Sequence, residues 1–454
     1  MSKRFLVIGN APLPFENPKR LYAGSIRTAA FVEELQKIGE VLLLGMRFKD
    51  SYTPDQSSEI KHKFENLIYY SIDDNKFSDI DYLKKLVRGF KPEVLIGVNS
   101  IPSYYATLLD LKIPFWADLN GSLVCEFQLK AAAEKDDYYV WQFLEIEYTI
   151  TTKADKFSVV SLPQKFELIG ELASINRVSH LNIFYDFVSV IQNPIISGEY
   201  KHNKQVLRKK LVAEEDFVVL WTGGYNYWTD IDFLYKGLSS AMEVNPKIKF
   251  VSLGGAIPGH NNQTFNKFKQ LVNNSMLRKN FIFPGWVETT NVPNYYFESD
   301  IGINIDSYSY ETLTGGRNRL NDMMKAGLPV LTTLGTSISQ IIKEYNLGFT
   351  ISIGDQDSFR NRILELSNTP IQQLKSMGAK GRDYAVKHWK SKMVLKEFLS
   401  WVQDPQPSPD NIYKRKYLKR ITRSQKLLNL IKEISNPRQF KKVLNRRFKA
   451  FLDG

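Results

Sequence analysis

Two series of short apolar runs, each alternating with amphipathic segments of helical period, constrain the fold of this chain more than any other feature. Runs that are apolar at nearly every position are typical of parallel strands buried on both faces. Strands that alternate with helices predict parallel sheets in α/β layers. We therefore predict an α/β protein with two doubly wound, Rossmann-like domains facing a cleft. The predicted strands are 5–8, 41–44, 94–98, 115–118, 156–160 and 188–191, then 217–222, 249–253, 281–283, 301–305, 330–332 and 350–351.

The alternation breaks at a turn-rich stretch, 192–198, which is followed by a charged segment. We place the domain boundary there, because each half then keeps its own strand–helix series. The predicted organisation is an acceptor-side domain (1–192), a donor-side domain (193–385), a closing helix that returns to the first domain (386–404), and a proline spacer with a basic tail (405–454). Ligands of such sheets bind at the carboxyl ends of the strands.

The net charge is concentrated at the end of the chain. The whole sequence has 61 Lys+Arg against 48 Asp+Glu, but 14 of these cations and only two acids, Glu433 and Asp453, lie in 411–454. Phe440, Leu444 and Phe448 recur at helical spacing among the cations, a pattern typical of a basic amphipathic helix at an anionic membrane. The alternatives are nucleic-acid binding and a simple solvated tail. We favour the membrane and expect no nucleic-acid partner, because no recognition motif accompanies the charge.

Three further observations limit the class of protein. Cys125 is the single cysteine, which excludes an intrachain disulfide and a multi-cysteine zinc site. The five histidines show no metal-ligand spacing, so we expect no metal and no cofactor. No run approaches the roughly 20 apolar residues that span a bilayer, and the apolar stretch at 5–9 is too short for a signal peptide. We expect a cytoplasmic protein attached peripherally to the inner face of a membrane.

Three glycine turns follow predicted strands and precede helices. They lie at Gly24, at Gly223 with Gly224, and at Gly315 with Gly316. Glycine lets backbone amides approach a ligand, and a helix N-terminus favours an anion. Each turn alone is ordinary turn chemistry, and none is a Walker loop or dinucleotide fingerprint. Their recurrence in the strand–helix slots of both domains, with Arg27, Arg317 and Arg319 nearby, predicts binding of an anionic ligand in the cleft.

Several blocks of the second half resemble the donor-binding domain of retaining GT-B glycosyltransferases, the large group that includes sucrose and mannosyl transferases. The block 319–330, RLNDMMKAGLPV, is similar to that family's signature, with Arg319 in the place of its Lys and Asp322 in the place of its Glu. The other similar blocks are 219–224, 250–255, 283–287, 292–296 and 299–303. The first half adds the glycine turn at Gly24 and Arg27.

The resemblance implies transfer of a hexose, with retention of configuration, from a nucleoside-diphosphate sugar to a polysaccharide or lipid-linked glycan, without a metal. Asp322 would bind the ribose hydroxyls, and Glu311 would bind sugar hydroxyls. The other implied donor contacts are Gly24, Arg27, Gly223, Gly224, Gly254, Gly255, Trp286, Val287, Gly315, Gly316, Arg317 and Arg319.

In the first domain, many relatives place a His or Asp near the donor sugar in the loop after the fourth predicted strand. Asp118 is the candidate here, so that Asp118, Glu311 and Arg317 form the predicted catalytic set. The alternative is that Asp118 only caps a turn. Glu126 and Gln128, slightly later in the chain, are candidates for facing the acceptor.

Two departures from the family leave other functions open. Thr314 stands where relatives usually carry a Glu, and the segment after the strand at 217–222 lacks the usual Arg and Lys. We therefore predict that Arg317 and Arg319 supply the phosphate charge. The alternatives are an inactive nucleotide- or sugar-binding protein and a GT-B-shaped nucleotide-sugar epimerase.

Overall fold

The computed structural model describes residues 2–18, 20–48, 51–52, 56–195, 197–257 and 259–410. The predicted basic tail, 411–454, lies outside the described residues. So do a few loop positions, among them 19, 53–55, 196 and 258.

The first domain is built on one eight-stranded sheet. Its strands are β1 (Lys3–Ala11), β2 (Gly39–Arg47), β3 (Glu59–Lys63), β4 (Leu67–Ile72), β5 (Val94–Val98), β6 (Phe115–Leu119), β7 (Lys156–Val159) and β8 (Val188–Val190). Their order is β3-β4-β2-β1-β5-β6-β7-β8, and all neighbours are parallel except the antiparallel pair β3 and β4. The chain therefore reverses its direction of travel across the sheet at β1.

The second domain has a six-stranded, fully parallel sheet. Its strands are β9 (Phe217–Thr222), β10 (Ile248–Leu253), β11 (Phe281–Gly285), β12 (Ile301–Asn304), β13 (Val330–Thr333) and β14 (Phe349–Ile351). The order β11-β10-β9-β12-β13-β14 places the reversal at β9. The predicted two-domain α/β fold is confirmed.

Helices cover both faces of each sheet. In the first domain they are α1 (Ala23–Leu35), α2 (Asp74–Phe77), α3 (Ile80–Val87), α4 (Ser100–Leu108), α5 (Leu123–Glu134), α6 (Tyr138–Thr151) and α7 (Leu162–Ser174). In the second domain and after it they are α8 (Ile231–Val244), α9 (Gln263–Asn273), α10 (Val292–Glu298), α11 (Tyr310–Thr314), α12 (Asn318–Lys325), α13 (Ser337–Glu344), α14 (Gln356–Ser367), α15 (Ile371–His388), α16 (Ser391–Val394) and α17 (Lys396–Gln403).

The alternation of side chains along β1 shows why the sheet is buried on both faces. Leu6 and Ile8 belong to the core cluster under α4, α6 and α7, whereas Phe5 and Val7 belong to the cluster under α1. The second cluster is completed by α17, whose Phe398 ring lies 5.2 Å from the Trp116 ring. The last described helix thus packs on the first domain, although the chain reaches it from the second.

The chain crosses between the domains twice, and the two crossings are bonded to each other. The Trp389 indole Nε1 donates to the Gln192 side-chain oxygen at 2.9 Å, and the Ile195 amide donates to the Trp389 carbonyl at 2.8 Å. Asn193, between these positions, accepts from Arg27 through its side chain at 3.3 Å and from Asn321 through its carbonyl at 2.9 Å. The crossing segments therefore contact both domains.

Candidate active site

A cavity of about 720 Å³ lies between the two domains. The loop that follows β1 lines it from the first domain, and the loop that follows β9 lines it from the second. These are the two strands at which the order of each sheet reverses, which is where open α/β sheets bind ligands. The topology alone therefore accounts for the place of the cavity.

Asp322, on α12, presents a carboxylate to this cavity. The Tyr200 hydroxyl donates to Asp322 Oδ1 at 3.0 Å, and Lys325 Nζ lies 3.7 Å from the centre of the Tyr200 ring. Burial raises the pKa of Asp322 to about 6, although the Tyr200 hydrogen bond and Lys325 oppose the shift. The carboxylate has a second oxygen, Oδ2, which suits it to accept from vicinal hydroxyls.

Arg319, one helical turn before Asp322, lies beneath the glycine turn that follows β9. Its Nη2 donates to the Gly224 carbonyl at 2.7 Å, and its guanidinium carbon lies 3.7 Å from the centre of the Trp221 ring. Nη1 is buried and has no hydrogen-bond partner in the described part of the chain. Burial lowers the pKa of Arg319 to about 10, so the group is still charged at neutral pH. A charged guanidinium thus lies at the cavity wall.

Arg317 also lines the cavity, but its charge is compensated within the protein. It donates to both oxygens of Glu311, at 2.9 and 2.7 Å, and from Nε to Asp306 at 3.0 Å. Both Arg317 and Glu311 are buried. Two carboxylates thus already neutralise Arg317, and its share in the phosphate charge stays a prediction. Glu311 likewise has each of its oxygens bonded to Arg317.

Close backbone contacts explain the glycines of the second domain. Gly254 has φ +113°, and a Cβ there would lie 2.3 Å from the Gly223 carbonyl oxygen. A Cβ on Gly316 would lie 2.4 Å from Asn193 Nδ2. Of the predicted glycines, Gly223, Gly224, Gly254, Gly315 and Gly316 line the cavity.

Gly255 does not line the cavity. A Cβ at this position would lie 3.0 Å from the Phe265 ring, so Gly255 faces that ring and not the cavity. Trp286 and Val287 both line the cavity. The Trp286 indole donates to the Ala256 carbonyl at 3.1 Å, and the Arg20 guanidinium of the first domain lies 4.7 Å from its ring centre. This is a contact between the two walls of the cavity.

Asp118, Arg27 and Gly24 lie outside the cavity lining. Asp118 is fully buried and accepts from Arg27 Nε and Nη2 at 2.7 Å each, from Ser158 Oγ at 2.5 Å and from the Asn99 amide at 3.4 Å. The structure therefore does not bring Asp118 to the sugar position that the resemblance implied, because the carboxylate is enclosed by its donors. Arg27, 1% exposed, is equally enclosed, and its role is to join β6 to the crossing segment.

Glu126 is the first-domain carboxylate that lines the cavity. It lies on the first turn of α5, and its Oε1 is 3.5 Å from His260 Nε2 of the second domain. Burial and the neighbouring Glu311 charge raise the pKa of Glu126 to about 8. The Glu126 carboxyl is therefore largely protonated at neutral pH and can both donate and accept a hydrogen bond. Gln128, the other acceptor-side candidate, is exposed and is not part of the lining.

Sequence reasoning did not identify Arg20, Asn193, Tyr200 or Trp228 as lining residues. All four lie outside the helices and strands, and no periodic pattern or family block marked them. Within the described ranges, no group of three or more His, Cys, Asp or Glu could hold a metal ion. The expectation that no metal is needed stays a prediction. No helix among the described residues is long and apolar enough to span a membrane.

Comparison with known proteins bears directly on this cavity. Residues 203–384 match the sequence profile of the family described as glycosyl transferases group 1. The second domain is a glycosyl transferases group 1 domain. The predicted resemblance is confirmed, and the chain is a glycosyltransferase with the GT-B fold. The matched range contains Arg319, Asp322 and the three glycine pairs of the second domain.

Solved structures similar to the transferase cover nearly its whole described length. Sucrose-phosphate synthase from Thermosynechococcus elongatus is 15% identical, with a TM-score of 0.62 over 89% of this chain and 99% of the other. HepE from Anabaena, in complex with UDP and glucose, is 13% identical, with a TM-score of 0.62 over 88% and 99%. A trehalose-6-phosphate synthase studied for glycosyl transfer with retention is 11% identical, with a TM-score of 0.62 over 89% and 100%. At these identities the likeness shows the fold alone. No curated protein sequence matches the transferase.

Proposed function

We propose that this glycosyltransferase takes a hexose from a nucleoside-diphosphate sugar, with UDP-glucose as the first donor to test, and transfers it with retention. The acceptor is a polysaccharide or a lipid-linked glycan at the cytoplasmic face of a membrane, and no metal takes part. HepE binds UDP and glucose, and the synthase above transfers with retention. These two relatives suggest the donor class, and the cavity supplies the chemical argument.

The observation that carries the proposal is the pair Arg319 and Asp322, one turn apart on α12 at the cavity wall. A nucleoside-diphosphate sugar needs a carboxylate for the ribose and a cation for the diphosphate. Asp322 supplies two acceptor oxygens. Arg319 supplies a charged guanidinium that lines the cavity, and such a cation makes charge-assisted bonds to phosphate oxygens.

Arg319 also compensates for the Arg and Lys that the donor domain lacks. The segment after β9 lacks the usual Arg and Lys, yet the Arg319 guanidinium extends from α12 to the carbonyl of Gly224, in that same segment. The charge is therefore supplied to the same place from a different helix. The compensated ion pair of Arg317 leaves Arg319 to perform this role.

Glu126 compensates for the missing Glu at position 314. Thr314 replaces the usual Glu, and both oxygens of Glu311 are bonded to Arg317. Glu126 lines the same cavity as Glu311 and Arg317 and lies close enough to them for their charges to act on its pKa. We assign to Glu126 a hydrogen bond to a hydroxyl of the donor sugar.

We propose the following transfer step. The bond between the anomeric carbon and the diphosphate oxygen breaks, and the acceptor oxygen bonds to the anomeric carbon on the same face of the sugar. The acceptor proton passes to the departing diphosphate oxygen. Arg319 stabilises the charge that develops on that oxygen, and the protein otherwise acts by positioning the reactants.

Binding and product analysis test the proposal. Calorimetry with UDP-glucose, UDP and uridine should show that Arg319→Met weakens UDP-glucose and UDP about tenfold or more and leaves uridine unchanged. Arg319→Lys should recover part of the loss. Lys236→Met is the matched control, because Lys236 lies on α8 outside the cavity lining.

The stereochemistry is measured by proton NMR of the glucose released when UDP-glucose is hydrolysed slowly. Retention predicts that the α anomer appears before mutarotation equilibrates it with the β anomer. The β anomer appearing first would overturn retention. Failure of a panel of nucleotide sugars to bind, or binding without turnover for every donor, would overturn the enzyme proposal, and a changed sugar configuration without an acceptor would favour epimerisation.

A further inference from the structure

An exposed apolar loop lies on the first domain, away from the cavity. We call residues 178–184 the apolar loop. Val178 is 51% exposed, Leu181 41%, Ile183 75% and Phe184 98%. Single exposed apolar residues are common on soluble proteins, but here four occur among seven successive residues. The other three, Ser179, His180 and Asn182, are not acidic.

The apolar loop is an ordered turn. The buried Asn182 donates from Nδ2 to the Arg177 carbonyl at 2.5 Å and accepts the Ser179 amide at 2.9 Å. The Tyr185 amide then donates to the Asn182 carbonyl at 2.9 Å. Asn182 thus lies inside the turn and fixes its backbone through these hydrogen bonds. The four apolar side chains of the loop remain exposed to solvent.

The end of the described chain is fixed next to this loop. Asp410 accepts from Arg177 Nε at 2.7 Å and from Nη2 at 3.1 Å, and Ser408 donates to Asp155 from both its amide and its hydroxyl. Arg177 directly precedes the apolar loop. The 44 residues that follow Asp410, with 14 Lys+Arg against two acids, therefore begin beside it.

We propose that the apolar loop is a second contact with an anionic membrane, in which Ile183 and Phe184 enter the headgroup region while the basic segment 411–454 binds the lipid phosphates. This rests on the membrane association proposed above and adds a site to it. Cations near an anionic surface and apolar side chains within it strengthen binding together.

Two other occupants fit the observations less well. A second copy of the chain would need about 800 Å² of buried surface on each partner, and one protruding turn with four apolar side chains supplies far less. The chain's own segment 411–454 would find no acidic residue within the apolar loop to match its cations. An anionic bilayer offers an apolar environment to the side chains of the loop and negative charge to the cations of 411–454.

The test uses the full chain and sedimentation with vesicles of phosphatidylcholine containing 30% phosphatidylglycerol. We expect wild type to bind, and the double variant Ile183→Ser/Phe184→Ser to bind at least tenfold more weakly. Met276→Ser should bind as wild type does, because Met276 is equally exposed, at 98%, but lies on the second domain. Equal binding by wild type and the loop variant would overturn the inference while leaving the membrane proposal intact.

A second measurement follows insertion directly. Cys125 is the single cysteine, so a fluorophore sensitive to polarity can be attached at Phe184→Cys or Met276→Cys in a Cys125→Ser chain. A blue shift with anionic vesicles at position 184 but not at 276 is expected. Absence of binding by wild type itself would overturn both the membrane proposal and this inference, and a dimer that dissociates in the loop variant would assign the loop to a second copy.

Discussion

Replacing Asp118 by asparagine should destabilise the first domain, because the substitution removes a counter-charge and leaves the shape of the side chain nearly unchanged. Arg27 would then keep its full charge at 1% exposure. Removing one partner of a buried ion pair costs about 3–5 kcal/mol. Since the Ile191 carbonyl and the Asn193 side chain still accept from Arg27 at 3.0 and 3.3 Å, we expect about 3 kcal/mol, the lower end of that range.

Hydrogen exchange of peptides that contain β6 and α1 measures this loss in the first domain separately from the second. Arg27→Met and the double variant complete a cycle, in which a coupling energy of about 2 kcal/mol is expected for groups in direct contact. Asp110→Asn is the control, because Asp110 pairs with Lys112 at 2.6 Å with both side chains more than half exposed, and such pairs contribute about 0–1 kcal/mol. A change below about 1 kcal/mol for Asp118→Asn, combined with loss of turnover, would refute this reasoning and favour a direct contact with the sugar.

Three further predictions concern the cavity. Because ribose binding needs the ionised form of Asp322, whose pKa is raised to about 6, the affinity for UDP-glucose should be constant above about pH 7 and fall up to tenfold per unit well below pH 6. Titration calorimetry of Asp322→Asn should show no such slope. Gly254→Ala should lower the melting temperature and weaken UDP-glucose binding, because its Cβ would lie 2.3 Å from the Gly223 carbonyl oxygen; unchanged melting would contradict the close contact. Glu126→Ala should weaken UDP-glucose about tenfold but not UDP, Glu126→Gln should keep most of the affinity, and Gln128→Ala should bind as wild type does.

Sequence patterns predicted twelve of the fourteen strands, including three of the four edge strands, β8, β11 and β14. The twelve predicted strands are all present, and most of their runs are apolar at nearly every position. β3 and β4 were not predicted. β3 has the sequence EIKHK, in which charged residues face solvent at the edge of the sheet. β3 therefore leaves no apolar run. In β4, LIYYSI, an inner strand between β3 and β2, two tyrosines and a serine interrupt the apolar residues.

The site was predicted in part for a similar reason. Turn glycines and the block around Asp322 are local in sequence, and most of these residues line the cavity. Arg27 and Asp118 were each named, but their ion pair joins residues 91 positions apart, and no spacing rule relates them. The same applies to Arg319, whose position next to Gly224 depends on how α12 packs against β12 and β13.

The two bonded crossings between the domains restrict how the cavity can open. Gln192 and Trp389 are hydrogen-bonded to each other, so the two crossings form one hinge. We expect the two domains to rotate about this hinge when the cavity opens. Gly316, in contact with Asn193 at that hinge, would hardly move. Trp286 follows β11, three strands from β12 and thus about 14 Å across the sheet, so a rotation of about 10° would shift it by roughly 2–3 Å. The contact between Arg20 and Trp286 would therefore break first. The nucleotide could enter the cavity at this edge, while the residues near Gly316 keep their positions.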